Sequence, residues 1–262
     1  MQKPKKFHQT VKYNVKDVAQ LPSEEEFVLK IRIKFAKRGT MKFISHLDVM
    51  RYFQKVIKRA DIDIAYSEGF NPHQIMSFAA PLGLGLNSEA EYVDIEVHST
   101  MSTKEALSKL NEVSVPDMPI LSYKLLSDNA TKAMTLVAAS DYFVSFRKGY
   151  EPDFDFNSAI NDLLSKETFV ITKETKKGSK EMDLRPLIYD FKQQKDGYFL
   201  KLASGSVDNL KPELVFSAIY SEQNKTLDIL SLHITRLELY GCMEADKLDT
   251  LTPLEGFGED IE

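Results

Sequence analysis

Two histidines, one tightly punctuated loop and a run of cations hold most of the chemistry this chain offers. Ser45-His46-Leu47-Asp48 sets a histidine between a hydroxyl and a carboxylate. Tyr66-Ser67-Glu68-Gly69-Phe70-Asn71-Pro72-His73 sets a second one in a segment where Gly69 and Asn71-Pro72 dictate a narrow backbone path. Imidazole titrates near neutral pH, so His46 and His73 are the candidates for a general base or a donor to phosphate. Each also has a plainer role open to it. His46 falls on the apolar side of its helical wheel, where a histidine is commonly buried and hydrogen-bonded, and Asn71 can cap its own turn. The 27 residues between the two histidines permit convergence without requiring it.

The cations lie just upstream. Val28 to Asp61 holds ten Lys/Arg against Asp48 and Asp61, a net of +8, while the whole chain carries −5. Arg51, Lys55, Lys58 and Arg59 share the polar arc of one helix, and Lys30, Arg32 and Lys34 share one face of the strand before it. Such a surface attracts phosphates and releases their counterions. The alternative is the solvated face of an amphipathic helix. Tyr52, Tyr66 and Phe70 are either stacking surfaces for unpaired bases or ordinary core and rim aromatics. Glu89 and Glu91 share a face of a strand start, and Arg185 either extends the basic surface or pairs with Asp183 or Asp190.

Several chemistries are excluded. There is no HExxH, no phosphate loop of the Walker type and no GxSxG. Gly83 and Gly85 lack a third glycine, and His8, His98 and His233 have no ligand spacing. The single Cys242 rules out a disulfide framework, a cysteine zinc site or a cluster held by this chain alone, and fits a reducing compartment. No apolar run reaches spanning length, and Met1 to Lys16 has no signal-peptide core, so a cytoplasmic protein is expected with no membrane partner.

The elements that must position these groups follow from periodicity. At 262 residues and 43% hydrophobic, the chain has material for about two domains. Residues 1–26 read as a flexible leader, and residues 244–262, with seven acids against one lysine, as an acidic tail that frays into solvent. Between them Phe27–Ala36 alternates as a strand, and Ser45 caps a helix over His46–Ala60 whose arc of Leu47, Val49, Met50, Phe53, Val56, Ile57 and Ala60 seeks a core. Ile62–Tyr66 and Tyr92–Val97 read as strands, Thr103–Leu110 as a helix and Ile120–Leu126 as a strand. The same order recurs downstream: strand 136–146, helix 156–164, strands 169–175, 183–191 and 198–203, helix 212–219 and strand 232–240. The expected fold class is α+β, with two tandem ferredoxin-like βαββαβ modules and antiparallel sheets, over residues 27–130 and 131–243.

The runs KIRIKFAKRGTMKFISHLDVMRYFQKVIKRADI, AYSEGFNPHQIMSFAAPLGLGLNSEAEYVDIEV and MDLRPLIYDF resemble the bacterial radical-SAM-linked proteins, a family defined by a domain of unknown function. SHLD, YSxGFNPH and SxxEYxD carry the resemblance. It implies a radical SAM enzyme as partner, this chain being the separate form without CxxxCxxC. A 4Fe–4S cluster and S-adenosylmethionine would then belong to the partner, leaving no cofactor and no metal here. By those motifs Ser45, His46, Asp48, Arg51, Tyr66, Gly69, Phe70, Asn71, Pro72, His73, Ser77, Glu91, Tyr92 and Arg185 are marked. Three functions are in view. The first is a non-catalytic accessory module that binds RNA or another anionic substrate through the basic helix face and the NPH loop, with Tyr66, Asn71 and His73 reading a base or an end. The second is a protein adaptor that docks on the enzyme without nucleic acid. The third is a metal-independent RNA-processing enzyme using His46 or His73.

Overall fold

The computed structural model describes residues 28–175, 178–206, 208–243 and 250–262. The opening basic alternation forms β1 (Leu29–Lys37), with Ile31, Ile33 and Phe35 buried on one face. A 3-10 turn over Gly39–Phe43 leads into α1 (His46–Arg59). Then come β2 (Met76–Ala79), β3 (Asn87–Val97), α2 (Thr103–Val113) and β4 (Ile120–Leu126). A one-turn helix, α3 (Ala133–Leu136), opens the second half. It continues through β5 (Val137–Phe146), α4 (Phe156–Ser165), the hairpin of β6 (Val170–Thr175) and β7 (Gly178–Asp183), β8 (Ile188–Gln194), β9 (Gly197–Ala203), α5 (Pro212–Glu222) and β10 (Leu232–Gly241). The short β11 (Thr252–Pro253) follows.

The result is a mixed α/β chain built on one large, mostly antiparallel sheet in the order β4-β1-β3-β10-β5-β9-β8. Its two halves were expected as tandem modules with antiparallel sheets, and their strands join in this one sheet. β3 is eleven residues long, so one edge serves two partners: Met76–Ala79 pairs with its C-terminal half, and Thr235 and Arg236 pair in parallel with Asn87 and Ser88. Two apolar cores lie against the helices, one around Ile31, Phe53, Ile95 and Leu110, the other around Val144, Ile160, Leu200 and Phe216. A third, around Tyr92, Leu136, Leu239 and Leu254, lies beneath α3 and the C-terminal segment.

Three expectations are corrected. Ile62–Tyr66 is not a strand: Asp61 turns the chain at φ +56°, and the segment makes only the isolated pairings Ile64–Val97 and Tyr66–Gln74. The second strand of the first half is β2 instead. Residues 183–191 do not form one strand, because Pro186 sits in a 3-10 turn between β7 and β8. The acidic tail does not fray over residues 250–262. β11 pairs with β10, Leu254 is fully buried, Leu125 and Glu259 exchange backbone hydrogen bonds at 2.9 Å, and the Ile261 carbonyl accepts from Thr103 N–H. Its carboxylates find cations of the body, as Glu255 does with Lys34 and Asp260 with Lys124. The leader and residues 244–249 lie outside the described residues.

Candidate functional site

α1 is positioned by its apolar stripe. Val49, Phe53, Val56 and Ile57 are buried, and the Phe53 ring sits 4.4 Å from Phe35 and 5.6 Å from Phe78. The Ser45 hydroxyl caps the helix by accepting from Asp48 N–H at 3.2 Å, and it donates to the Asp48 carboxylate at 2.7 Å. That hydroxyl, with Arg51 at 3.3 Å, holds the Asp48 carboxyl below the usual range. Ser45 and Asp48 are thus occupied in starting the helix and steadying Arg51. The opposite arc presents Arg51, Lys55, Lys58 and Arg59, all exposed. Lys55, Lys58 and Arg59 have no ion pair among the described residues. One wheel assignment differs from the expectation, that of Leu47, and Tyr52 takes the rim place rather than that of an open stacking surface. Leu47 is 61% exposed, and Tyr52 is half-buried, its hydroxyl accepting from Val115 N–H at 2.9 Å.

The 66–74 segment leaves the sheet as a closed hairpin. Ile75 N–H donates to the Ala65 carbonyl at 3.0 Å, and Ser67 N–H donates to the His73 carbonyl at 2.8 Å. His73 N–H returns a bond to Ser67 Oγ at 3.1 Å, and that same oxygen lies 2.7 Å from His73 Nδ1. Gly69, at φ +106°, supplies the left-handed corner that an L side chain resists. Phe70 stands at the tip, fully exposed, and Tyr66 is 52% exposed; Asn71 and His73 are exposed as well. The Gln74 side chain donates to the Gln54 carbonyl at 3.4 Å, tying the base of the hairpin to the middle of α1. Arg51, Lys55 and Lys58 stand within four residues of Gln54, so the helix turns that carry them are the ones this bond ties to the base of the loop.

His46 does not join them. It is exposed at the first turn of α1 with its ring edge-on to Phe78 at 5.3 Å, about 12 Å along the axis from Gln54 at 1.5 Å per residue. Instead of the buried histidine its wheel position suggests, it is a surface group next in the chain to exposed Leu47; Phe43 and Leu84 are exposed too, on segments joined by the bond from Gly85 N–H to the Lys42 carbonyl at 2.9 Å.

Other marked residues are scaffold. Glu91 is buried against Arg236 at 2.9 Å, not an open ligand. Lys37 is buried there too, and that burial pulls its pKa down. Arg185 neither extends the α1 surface nor pairs through its guanidinium with Asp183 or Asp190. It donates to the Leu164 and Ile188 carbonyls at 3.3 Å, closing the C-terminus of α4. Ser77 is half-buried and donates to Met134 Sδ at 3.4 Å.

The strand cations are corrected as well. Arg32 is buried, its guanidinium bidentate on Asp94 at 2.7 and 3.0 Å and on the Leu254 and Thr131 carbonyls. Lys34 sits between Glu238 at 2.6 Å and Glu255 at 2.7 Å, and Tyr92 donates to Glu238 at 2.6 Å. Tyr92 and Asp94 of SxxEYxD therefore staple the non-helical sheet face to the second half and the C-terminal segment. Period-2 alternation shows that β1 has a basic face; the partners 62 to 222 positions away that cover it leave no local signal.

A concavity of about 150 Å3 adjoins β2, with Lys30, Lys132, Asp94 and Glu96 in its lining, and there the Asp94 carboxylate is already taken by Arg32. Among the described residues no three His, Cys, Asp or Glu side chains are grouped to hold a metal ion, and no helix is long and apolar enough to cross a membrane.

Residues 30–212 match the model of a family described as an uncharacterized protein conserved in bacteria (DUF2344), and the chain belongs to that family. No match was found among curated proteins.

Proposed function

We propose that this chain is a non-catalytic accessory module that holds RNA on the exposed arc of α1 beside the 66–74 hairpin. The observation that carries the reading is the set of four exposed cations, Arg51, Lys55, Lys58 and Arg59, three without an acidic partner among the described residues, against a loop tipped by an uncovered aromatic ring. Elsewhere the cations of this region are consumed internally, as Arg32 and Lys34 are. Cations left unpaired on one helix face fit a polyanion that neutralises them on arrival. The first half runs strand-helix-strand-strand-helix-strand and the second follows that order with the β6–β7 hairpin inserted after α4, the strand orders being β4-β1-β3-β2 and β10-β5-β9-β8. We read these halves as tandem ferredoxin-like modules, a scaffold whose helices present side chains while the sheet is occupied with joining the halves. The resemblance to the radical-SAM-linked proteins supports a radical SAM enzyme as the partner, in the cytoplasm, with cluster and S-adenosylmethionine on that partner and RNA presented by this chain.

Anisotropy of a labelled structured RNA tests the binding role. The wild-type chain should bind at low salt, and Arg51→Ala/Lys55→Ala/Lys58→Ala should weaken binding by about 30-fold, each lost phosphate contact being worth about 0.5–1 kcal/mol. Unchanged affinity in the triple variant, with an unchanged melting temperature, rejects the reading.

The protein-docking alternative also has an observation behind it: Phe43, Leu47 and Leu84 are all more than 60% exposed, on the start of α1 and on the two segments joined by the Gly85–Lys42 backbone bond. Co-purification with the partner enzyme that survives the α1 triple variant but not Phe43→Ser/Leu47→Ser would favour docking through that end of the helix.

A further inference from the structure

We infer that the 66–74 hairpin is a clamp for one unpaired nucleotide, with Phe70 stacking on its base and His73 Nε2–H donating to its phosphate, and with Ser67 positioning that proton. The inference rests on the RNA reading of α1 and names the part of the ligand the neighbouring loop takes.

Ser67 Oγ already accepts the His73 backbone N–H at 3.1 Å. Its own hydroxyl proton remains to be placed, and His73 Nδ1 lies 2.7 Å away. A hydroxyl donating there makes Nδ1 the acceptor and leaves the ring proton on Nε2, the nitrogen on the far side of the ring from Ser67. The exposed imidazole then offers an acceptor outside the hairpin a hydrogen-bond donor of fixed tautomer. The closure bonds between Ser67 and His73 and the left-handed Gly69 hold the loop in one shape, so the fully exposed Phe70 is displayed on a fixed frame. Any base has a face that stacks on such a ring, whereas a paired base keeps its faces inside the duplex. The unpaired cations of α1, anchored next to the loop through Gln74 and Gln54, set the sign of the ligand. They favour a nucleotide over an apolar protein segment.

Three oligonucleotides of related sequence separate the possibilities: a single strand, a hairpin with an unpaired overhang and a blunt duplex. The two with unpaired residues should bind about tenfold more tightly than the duplex, and Phe70→Ala should remove that preference, a single stacked base being worth about that factor. Glutamine places an N–H where Nε2 stands and asparagine places one where Nδ1 stands. His73→Gln should therefore stay within about threefold of wild type, while His73→Asn should fall about tenfold, as the loss of a donor to a charged group predicts. In the free protein, nitrogen-15 shifts of His73 should show the Nε2-protonated tautomer in wild type and a mixture in Ser67→Ala. Equal binding of all three RNAs, indifference to Phe70→Ala, equal losses in the Gln and Asn variants, or an Nδ1-protonated ring overturns the inference. If hairpin variants leave RNA affinity unchanged while the α1 triple variant abolishes it, the helix reading stands, the clamp fails, and the loop is left for a protein partner. If neither set matters, both fail.

Discussion

Arg32→Ala should lower the folding free energy by about 3–5 kcal/mol, the loss expected when one partner of a buried ion pair is removed. The side chain is wholly buried, bidentate on Asp94, and donates to two carbonyls, those of Leu254 and Thr131. Its removal leaves the mostly buried Asp94 carboxylate with Ala133 N–H, at 2.7 Å, as its remaining hydrogen-bond donor among the described residues. It also cuts the Leu254 carbonyl loose from β1, so the C-terminal segment should open before the sheet does. Urea unfolding measures the total. Hydrogen exchange of residues 252–259 should rise more than that of β1 or β3. A loss below about 1 kcal/mol would place the pair in the class of weak surface bridges and contradict the assignment.

Ending the chain after residue 243 should be nearly as damaging, at about 3–5 kcal/mol, from exposure of the third core and loss of buried hydrogen bonds. Leu254 is fully buried against Tyr92, Leu136 and Leu239, and Glu255 supplies one of the two carboxylates on Lys34. Burial works against the charge of Lys34, but its hydrogen bonds to Glu238 and Glu255 outweigh that and raise its pKa above 10.5. A raised lysine contributes stability that is fully present below 10.5 and is lost as the pH climbs through the folded value. The ionic share of the truncation's cost should thus hold across neutral pH and fade only in alkaline solution, while the apolar share remains. Thermal melts of both chains at neutral and alkaline pH check this. A truncated chain that melts with the full one would contradict the role given to residues 250–262.

Local pattern carried much of this structure and failed where distant partners decide. α1 was legible because Ser45 and Asp48 make a local cap and the apolar stripe has helical spacing. β1, β5 and β10 were legible because alternation has period 2. Ile62–Tyr66 misled because an apolar alternation of five residues looks the same whether it pairs along its length or touches at Ile64 and Tyr66 only. The acidic tail misled for the opposite reason: composition suggested solvation, and its partners Lys34 and Lys124 stand more than a hundred positions upstream. In the candidate site, the exposed arc of α1 and the closure of 66–73 follow from spacing and turn chemistry. The burial of Glu91 by Arg236, the diversion of Arg185 to helix carbonyls and the anchoring of the loop by Gln74 are tertiary facts.

If cations on one face of α1 meet phosphates, as proposed, the slope of log affinity for RNA against log salt concentration reads out that contact. Wild-type protein should show a steep negative slope, and Arg51→Ala/Lys55→Ala/Lys58→Ala should flatten it by about 2 to 3, the counterions released by three phosphate contacts. Two parallel lines for wild type and the triple variant would mean that these side chains do not touch the phosphates and that α1 does not hold RNA.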